Sequence, residues 1–570
     1  MRRTLFRTAI AGLAVGTTFL GAAWAGVGLG PVSTGQEPVP PAPLPLASEE
    51  ATDAADLVAT EGAAALAARL PDGQWLVGAS VRSIAPDEKQ WQTEGCSEYV
   101  SNFPEEVTHL ADKLIVDQTG SWPASPDCVY LGGYGIGPAR AATSVDPHAG
   151  VNVRTLAFSN GTSEGTVVWQ MIDMVGYFSS YRDDLCGDCG IADMRRSIGQ
   201  EHDIPVDNLA IGSTHTHGGA DGYGAWGGLP SWYREQLRVA VITSAAEALG
   251  AMRPATIAVG SVDARAFNNE RRGTYHSTPD YGAVWLQARE VPRKKKDEAK
   301  VIATLVNYAA HPTVLGSQPV MHGDWPATAS KALGDDLGGV GVVIEGGLGN
   351  VSPSRLPSAG EDLTDDGVYD RNDQVIEMGR DFATFVGSDI ARGGTFLTSN
   401  EVQTVSAVVE HPVTNWAEAA LGISGLLDRT FTPGDAAGVA GWYSGGKSPT
   451  RQCTAASPLT IKTEVSGFRL GQLTVLTAPG EIFSSISQVL KSKARYAAFE
   501  GGQTMVFGQT QDSLGYIIQS FEVDPVGGAL TNVPEAEVAE YEETFMLDRC
   551  FGDHVLDVAL EVAAAVQQSE

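Results

Sequence analysis

The chain has 570 residues, which is enough for one large domain or roughly two to four of average size. It carries 38 lysines and arginines against 69 aspartates and glutamates, a formal net charge of -31. This balance argues against nucleic-acid binding, because a phosphate backbone needs a basic surface. It also argues against electrostatic adhesion to anionic lipid. An apolar lipid substrate is not excluded, since a hydrophobic cleft can open in an acidic surface.

Residues 1–25 have the pattern of an export signal. A positively charged start precedes an apolar run, and "AWA" at 23–25 fits a small-x-small cleavage site. The pair Arg2 and Arg3 is weakly typical of a twin-arginine signal. We therefore expect a secreted or cell-envelope protein, with anchoring in the membrane by an uncleaved signal as the alternative.

Export would place the six cysteines in an oxidising compartment, where an even count favours disulfides. Cys186 and Cys189 of "CGDC" are expected to form a local structural bridge, because no thioredoxin-like pattern surrounds them. The other expected bridges are Cys96–Cys128 and Cys453–Cys550.

The rest of the sequence predicts one large α/β domain after a linker. Residues 26–50 are rich in proline and predict an extended linker, and an Ala-rich helix is expected over 51–70. After it, short apolar strands alternate with helical stretches, a pattern typical of mixed β-sheets flanked by helices. Strands are expected within 75–86, 165–175, 255–262, 299–310, 340–348 and 470–480. Helices are expected over 232–250, 325–337, 374–391 and 484–498.

Two histidines follow a further apolar run, "DNLAIGS" at 207–213, which predicts a short strand that ends in a turn. His215 and His217 of "STHTHGG" are two residues apart, a spacing that points both side chains the same way in an extended chain. A glycine-rich loop comes next. The pattern is typical of ligand or proton-shuttle histidines, and an ordinary pair of hydrogen-bonded structural histidines is the alternative.

Other polar side chains also lie where apolar strands end. They are His311 of "NYAAHPT", Ser352 of "GNVSPS", Glu481 of "APGEIF" and Tyr516 of "DSLGYI". In α/β folds, ligands gather beyond the carboxyl ends of strands. Histidine and carboxylate from separate loops have the composition of a catalytic zinc site, which leaves a position for water. For each residue alone, a structural hydrogen-bonding role is the alternative.

These motifs, together with "YEETF" near the C-terminus, resemble the neutral (alkaline, non-lysosomal) ceramidases. They occur in the family's order, from about residue 75 to 565. The resemblance implies that 51–570 is a zinc-dependent amidase domain with one zinc ion per chain. It implies an N-acyl lipid substrate such as ceramide, split into a fatty acid and a sphingosine-like amine. It implies no stable protein partner, and transient contact with a membrane surface would suit such a substrate.

The resemblance also assigns roles to individual residues. The zinc ligands that it implies are His215, His311, Glu481 and Tyr516. The catalytic residues that it implies are Ser352, His217, Arg265 and Tyr541. Ser352 would be the nucleophile or would position the attacking water, and His217 would face the scissile amide. Arg265 of "DARAFNNERR" and Tyr541 of "YEETF" would stabilise the oxyanion.

The sequence departs from the family's pattern in three places. Asn350 stands where the family has aspartate, and "HGGADGY" replaces the common "HSGPGGY". The chain ends at residue 570, so the family's C-terminal β-sandwich domain is expected to be absent. Zinc-dependent amide hydrolysis is therefore implied more firmly than long-chain ceramide as the substrate.

Two other functions remain as alternatives. A metal-dependent phosphoesterase or sulfatase-like hydrolase would use a two-metal site, for which His322 and Asp324 of "MHGDW" are candidate ligands. A non-catalytic, exported envelope binding module would keep the fold without the activity.

Overall fold

The structure is a computed structural model. It describes residues 70–87, 128–135, 140–272, 278–292, 294, 298–316, 318–354, 360–415, 418–419, 421–422, 427–429, 431–433, 457, 459–497, 502–523 and 541–568. The predicted signal and linker, the predicted helix over 51–69, and Cys96 and Cys453 lie outside these ranges. Within the ranges, no helix has the length and apolarity to cross a membrane.

The elements alternate between strands and helices along most of the chain. In order they are β1 (Trp75–Ser83), β2 (Ser144–Val145), β3 (Asn152–Ser159), β4 (Thr166–Ile172), α1 (Ile191–His202), β5 (Leu209–Ser213), α2 (Ser231–Gly250), β6 (Arg253–Asp263), β7 (Asn268–Glu270), β8 (Gly282–Glu290), β9 (Val301–Tyr308), β10 (Val320–Met321), α3 (Asp324–Leu337), β11 (Val340–Glu345), β12 (Val351–Pro353), α4 (Arg371–Ile390), β13 (Thr395–Phe396), β14 (Val402–Pro412), β15 (Thr432–Pro433), β16 (Leu459–Leu470), β17 (Leu473–Thr477), β18 (Glu481–Ile482), α5 (Ser484–Ala497), β19 (Gln503–Phe507), β20 (Tyr516–Ile517), α6 (Tyr541–Thr544) and α7 (Phe551–Gln567).

A nine-stranded mixed sheet is the larger of two main sheets. Its order is β11-β9-β8-β6-β1-β3-β4-β5, and β13 pairs with β6. The central pairs are antiparallel, whereas β11 with β9 and β4 with β5 are parallel. The alternation of side chains shows in β6, where Ala255, Ile257 and Val259 are buried on one face.

A second, five-stranded sheet packs on the first. Its order is β14-β16-β17-β19, with β15 on β16. One apolar cluster contains side chains from both sheets, including Leu286 of β8, Phe468 of β16 and Met505 of β19. The two sheets therefore share a core layer. Within the five-stranded sheet, β17 and β19 run parallel.

Helices cover the outer faces of both sheets. Helix α2 packs on β1 and β3, α3 packs on β11, and α7 packs on β14 and β16. Helix α4 begins after Asp370, whose carboxylate accepts a hydrogen bond from the backbone N–H of Asn372 and so caps the helix. The α/β fold with mixed sheets and flanking helices is confirmed. The predicted strands and the four predicted helices beyond residue 70 are present, with boundaries shifted by a few residues.

The disulfide prediction is confirmed for one bridge. Cys186 and Cys189 are joined. Cys128 and Cys550 are each disulfide-bonded as well, but their predicted partners, Cys96 and Cys453, lie outside the described residues. Those two pairings stay predictions.

Candidate metal centre

The site lies where strands from both sheets end. The loop after β5 carries His215 and His217, and the loop after β9 carries His311. Glu481 follows β17, and Tyr516 follows β19. The short strands β18 and β20 pair so that Glu481 lies opposite Tyr516. The expectation that these separate loops meet at the carboxyl ends of strands is therefore met.

Each of the three histidines is oriented by a backbone carbonyl. The Nδ1 atom of His215 lies 2.6 Å from the carbonyl oxygen of Val175, and that of His217 lies 2.6 Å from the carbonyl oxygen of Gly133. The Nδ1 atom of His311 lies 2.9 Å from the carbonyl oxygen of Val351. A carbonyl only accepts, so Nδ1 carries the proton in each ring. The lone pair then resides on Nε2, which is the arrangement of a metal-binding histidine.

The Nε2 atoms of two of these rings face the carboxylate of Glu481. Oε2 of Glu481 lies 3.0 Å from Nε2 of His311 and 3.3 Å from Nε2 of His215. One ligand atom from each of His215, His217 and His311 falls within 4.8 Å of the others, and all three side chains are buried. Nε2 of His215 has no hydrogen-bond partner among the described residues. A metal ion would satisfy this buried atom, so the donor set fits a metal ion.

Burial keeps His217 and His311 neutral. It lowers the pKa of His311 to about 4, and the guanidinium of Arg271 adds to the effect. It also holds the pKa of His217 well below its usual range, with the other two histidines adding to the shift. Neutral imidazole is the form that binds a metal ion. His215 has a positive φ of 63°, a backbone conformation uncommon outside glycine and often found at functional sites.

Two tyrosines border the cluster. The hydroxyl of Tyr516 accepts a hydrogen bond from Nη2 of Arg271 at 2.8 Å, and its ring lies 6.4 Å from that of His311. The hydroxyl of Tyr541 accepts a hydrogen bond from the backbone N–H of Gly135 at 2.8 Å. Burial raises the pKa of both phenols, so both remain protonated at neutral pH.

The structure does not bring Arg265 to this cluster. Its guanidinium is 68% exposed, pairs with Asp263 and stacks on Tyr281. The arginine that reaches the site is Arg271, six positions along the same segment. It binds Tyr516 and also pairs with Glu542 at 2.7 Å. The expectation that Arg265 lies at the site is not met, because its side chain is exposed and held by Asp263 and Tyr281.

Ser352 lies beside the residue that orients His311. It belongs to β12, where it faces Asn269 of β7, and it is partly buried. The carbonyl of its neighbour Val351 accepts hydrogen bonds from both the ring and the backbone N–H of His311. Ser352 is therefore one residue from the support of the cluster.

His322 and Asp324, the candidate ligands of a second metal ion, lie outside the histidine cluster. The two carboxylate oxygens of Asp324 accept hydrogen bonds from the backbone N–H groups of Val314, Leu315 and Trp325. His322 is buried directly below the histidine loop, where a Cβ on Gly218 would lie 2.0 Å from its Nε2. These hydrogen bonds give Asp324 a structural role, and the close approach of His322 explains the glycine after the second histidine. Both ring nitrogens of His322 are buried without a hydrogen-bond partner among the described residues, and its Nδ1 lies 3.9 Å from Oδ2 of Asp324.

An apolar cleft of about 880 Å³, including its open mouth, leads to the cluster. His215, His217, Glu481, Tyr516 and Tyr541 form its polar end. Most of the remaining wall is apolar; it includes Phe178, Trp226, Leu421, Leu427, Phe431 and Phe545. Such a cleft suits a ligand with a hydrophobic chain and one reactive polar group.

The fold resembles two solved ceramidase structures. The neutral ceramidase from Pseudomonas aeruginosa aligns with a TM-score of 0.58 and 14% sequence identity, over 87% of this chain and 75% of that one. A ceramidase complexed with C2 aligns with the same TM-score and identity, over 88% of this chain and 77% of that one. No family model matches the sequence. No curated protein matches it either. At this identity the likeness establishes a shared fold.

Proposed function

We propose that the protein is an exported, zinc-dependent amidohydrolase that cleaves the N-acyl bond of ceramide or a related N-acyl lipid. The observation that carries the proposal is the buried cluster of three histidines, with Glu481 beside it, at the end of an apolar cleft. The ceramidase-like fold supports it. One of those structures holds a ligand named C2, which is consistent with a lipid substrate.

His215, His311 and Glu481 would hold the zinc ion, with Tyr516 as the fourth ligand. A bound zinc ion would supply Lewis-acid polarisation of the amide carbonyl. The backbone carbonyls of Val175 and Val351 fix the histidine rings in the orientation that this requires.

The remaining residues act on the substrate. His217 lines the cleft beside the cluster and would exchange a proton with the amide or the attacking group. Tyr541, protonated and at the polar end of the cleft, would donate a hydrogen bond to the oxyanion. Ser352 would be the nucleophile or would position the attacking water.

The direct test is metal analysis of the purified protein together with hydrolysis of a series of N-acyl lipids and N-acyl amino acids. One equivalent of zinc and release of fatty acid are expected. A protein that contains zinc but releases no acid from any of these substrates would contradict the amidase. Two metal ions per chain with phosphate release would instead favour the phosphoesterase alternative.

A further inference from the structure

Glu418 contributes a carboxyl group to a cleft wall that is mostly apolar. It lines the same cleft as His217 and Glu481, yet its nearest lining neighbours along the chain are Leu421 and Leu427. The residue is only 8% exposed. A carboxyl group in such surroundings costs free energy unless a polar partner meets it.

No partner from the protein meets this carboxyl group among the residues that the structure describes. The other charged groups of the cleft are already matched. Arg429 binds Asp512 at 2.7 Å, and Glu481 contacts two histidines. Burial alone raises the pKa of Glu418 to about 8. A buried polar group without a partner in a native structure needs a specific explanation, and at the wall of a binding cleft a ligand provides one.

The backbone that carries Glu418 is held firmly. The side-chain amide of Asn415 donates hydrogen bonds to the carbonyl oxygens of Thr544 and Met546, each at 2.8 Å. The backbone N–H of Ala419 in turn donates to the carbonyl of Asn415 at 3.0 Å. Glu418 is thus fixed against the segment that follows Tyr541. A fixed, buried polar group discriminates well between ligands that satisfy it and ligands that do not.

We propose that Glu418 is a specificity-determining residue, which binds a hydrogen-bond donor, a hydroxyl or an ammonium group, on the amphiphile that occupies the cleft. The proposal rests on the proposed function in taking that amphiphile to be an N-acyl lipid or its amine product. It predicts that acyl amides whose amine side carries a hydroxyl or amino group are preferred over plain alkyl amides.

The test is equilibrium binding of three amphiphiles of equal length to the full mature protein by titration calorimetry at about pH 9. At this pH the Glu418 carboxyl, whose pKa is about 8, is ionised and only accepts hydrogen bonds, while an alkylammonium group stays protonated. The ligands are 1-undecanol, undecylammonium and methyl decyl ether, of which the last offers no donor. We expect the two donors to bind the unmodified protein about tenfold more tightly than the ether, the effect of one hydrogen bond to a buried group. Equal affinity for all three would overturn the proposal.

Variants assign the effect to Glu418. Glu418→Leu should remove the preference for donors, and Leu421→Met, a change on the same wall without a polar group, should retain it. Glu418→Gln should retain the affinity for 1-undecanol and should lower the affinity for undecylammonium about tenfold, because the negative charge is lost. If Glu418→Leu does not fold, Glu418→Gln decides, and unchanged binding of undecylammonium to it would overturn the proposal. The assay needs no turnover, so a protein without amidase activity would refute the proposed function and leave this result standing.

Discussion

Oε2 of Glu481 lies 3.0 Å from Nε2 of His311, although 170 positions separate the two residues along the chain. With the Nδ1 proton of His311 committed to Val351, both facing atoms can offer lone pairs. Two such atoms repel each other unless a proton or a cation lies between them. A metal ion bound at this point would remove the repulsion and bind both atoms.

We expect one equivalent of zinc in the mature protein and its loss in His215→Ala and His311→Ala. His322→Asn is a suitable control, because His322 is buried nearby but lies outside the cluster. Elemental analysis of the folded variants provides the measurement. Full zinc content in both alanine variants would show that the site is misassigned.

His217, the second histidine of the loop, is expected to act on the substrate and not to bind zinc. We expect His217→Ala to keep zinc and to lose turnover, since His217 lines the cleft while the Glu481 carboxylate contacts the other two histidines. Tyr516→Phe should weaken zinc binding. Zinc analysis of both variants checks this, and loss of zinc from the His217 variant alone would make His217 the fourth ligand in place of Tyr516.

Ser352→Ala should reduce hydrolysis of an N-acyl substrate at least about a hundredfold, which is the usual effect of losing a key catalytic group. It should leave the zinc content unchanged. Ser354→Ala is the matched control. Its hydroxyl donates to the carbonyl of Asn268 at 3.1 Å and has a local structural role. If the Ser352 variant keeps its activity and only its melting temperature falls, Ser352 is structural.

Arg271→Ala should lower turnover roughly ten- to a hundredfold, the usual effect of losing a group that positions a site residue. The change frees the hydroxyl of Tyr516 and leaves the buried carboxylate of Glu542 without this partner. Arg265→Ala should leave both turnover and melting temperature unchanged, because that side chain is exposed. Steady-state kinetics of the two variants would contradict this assignment if the Arg265 variant were the impaired one.

A buried histidine outside the site should make stability depend on pH. Burial, with His411 adding to the effect, lowers the pKa of His554 to about 3, against about 6.5 in an unfolded chain. Between these values the unfolded chain binds more protons, so the stabilising contribution is complete above about pH 6.5 and is lost as the pH falls toward about 3. In His554→Gln, the melting temperature should therefore fall less between neutral pH and pH 5. An unchanged pH dependence would show that His554 does not contribute.

The export prediction can be tested on the secreted material. We expect residues 1–25 to be absent from the mature protein, and no free thiols. N-terminal sequencing and thiol titration under denaturing, non-reducing conditions give the answer. Two or more free thiols would contradict the expected set of three bridges.

The fold was largely predictable because its elements are strongly patterned. Helix α2 was expected over 232–250 and occupies Ser231–Gly250, where Pro230 comes just before the first turn. Strands β9 and β11 are continuous apolar runs, as buried parallel strands are. The loops that carry the histidines could then be placed at strand ends from local sequence alone.

Two features of the site were beyond sequence reasoning for physical reasons. Whether Arg265 or Arg271 turns inward depends on the pairing of β7 with β12, and on Glu542, 271 positions away. The pairs Arg271–Arg272 and Glu542–Glu543 have complementary charge, and their matching is the one signal that the sequence offered. Glu418 stands in no motif, and only the folded wall around it makes it unusual.

The candidate metal ligands come from both sheets, and this affects when the site can form during folding. His215 and His311 follow strands of the nine-stranded sheet, and Glu481 follows a strand of the five-stranded sheet. Contacts between positions so distant in the chain form late and slowly. The proposed zinc ion would therefore not serve as an early template, and it would stabilise the protein only once the two sheets have docked. Zinc depletion should then leave the folding rate unchanged and speed unfolding.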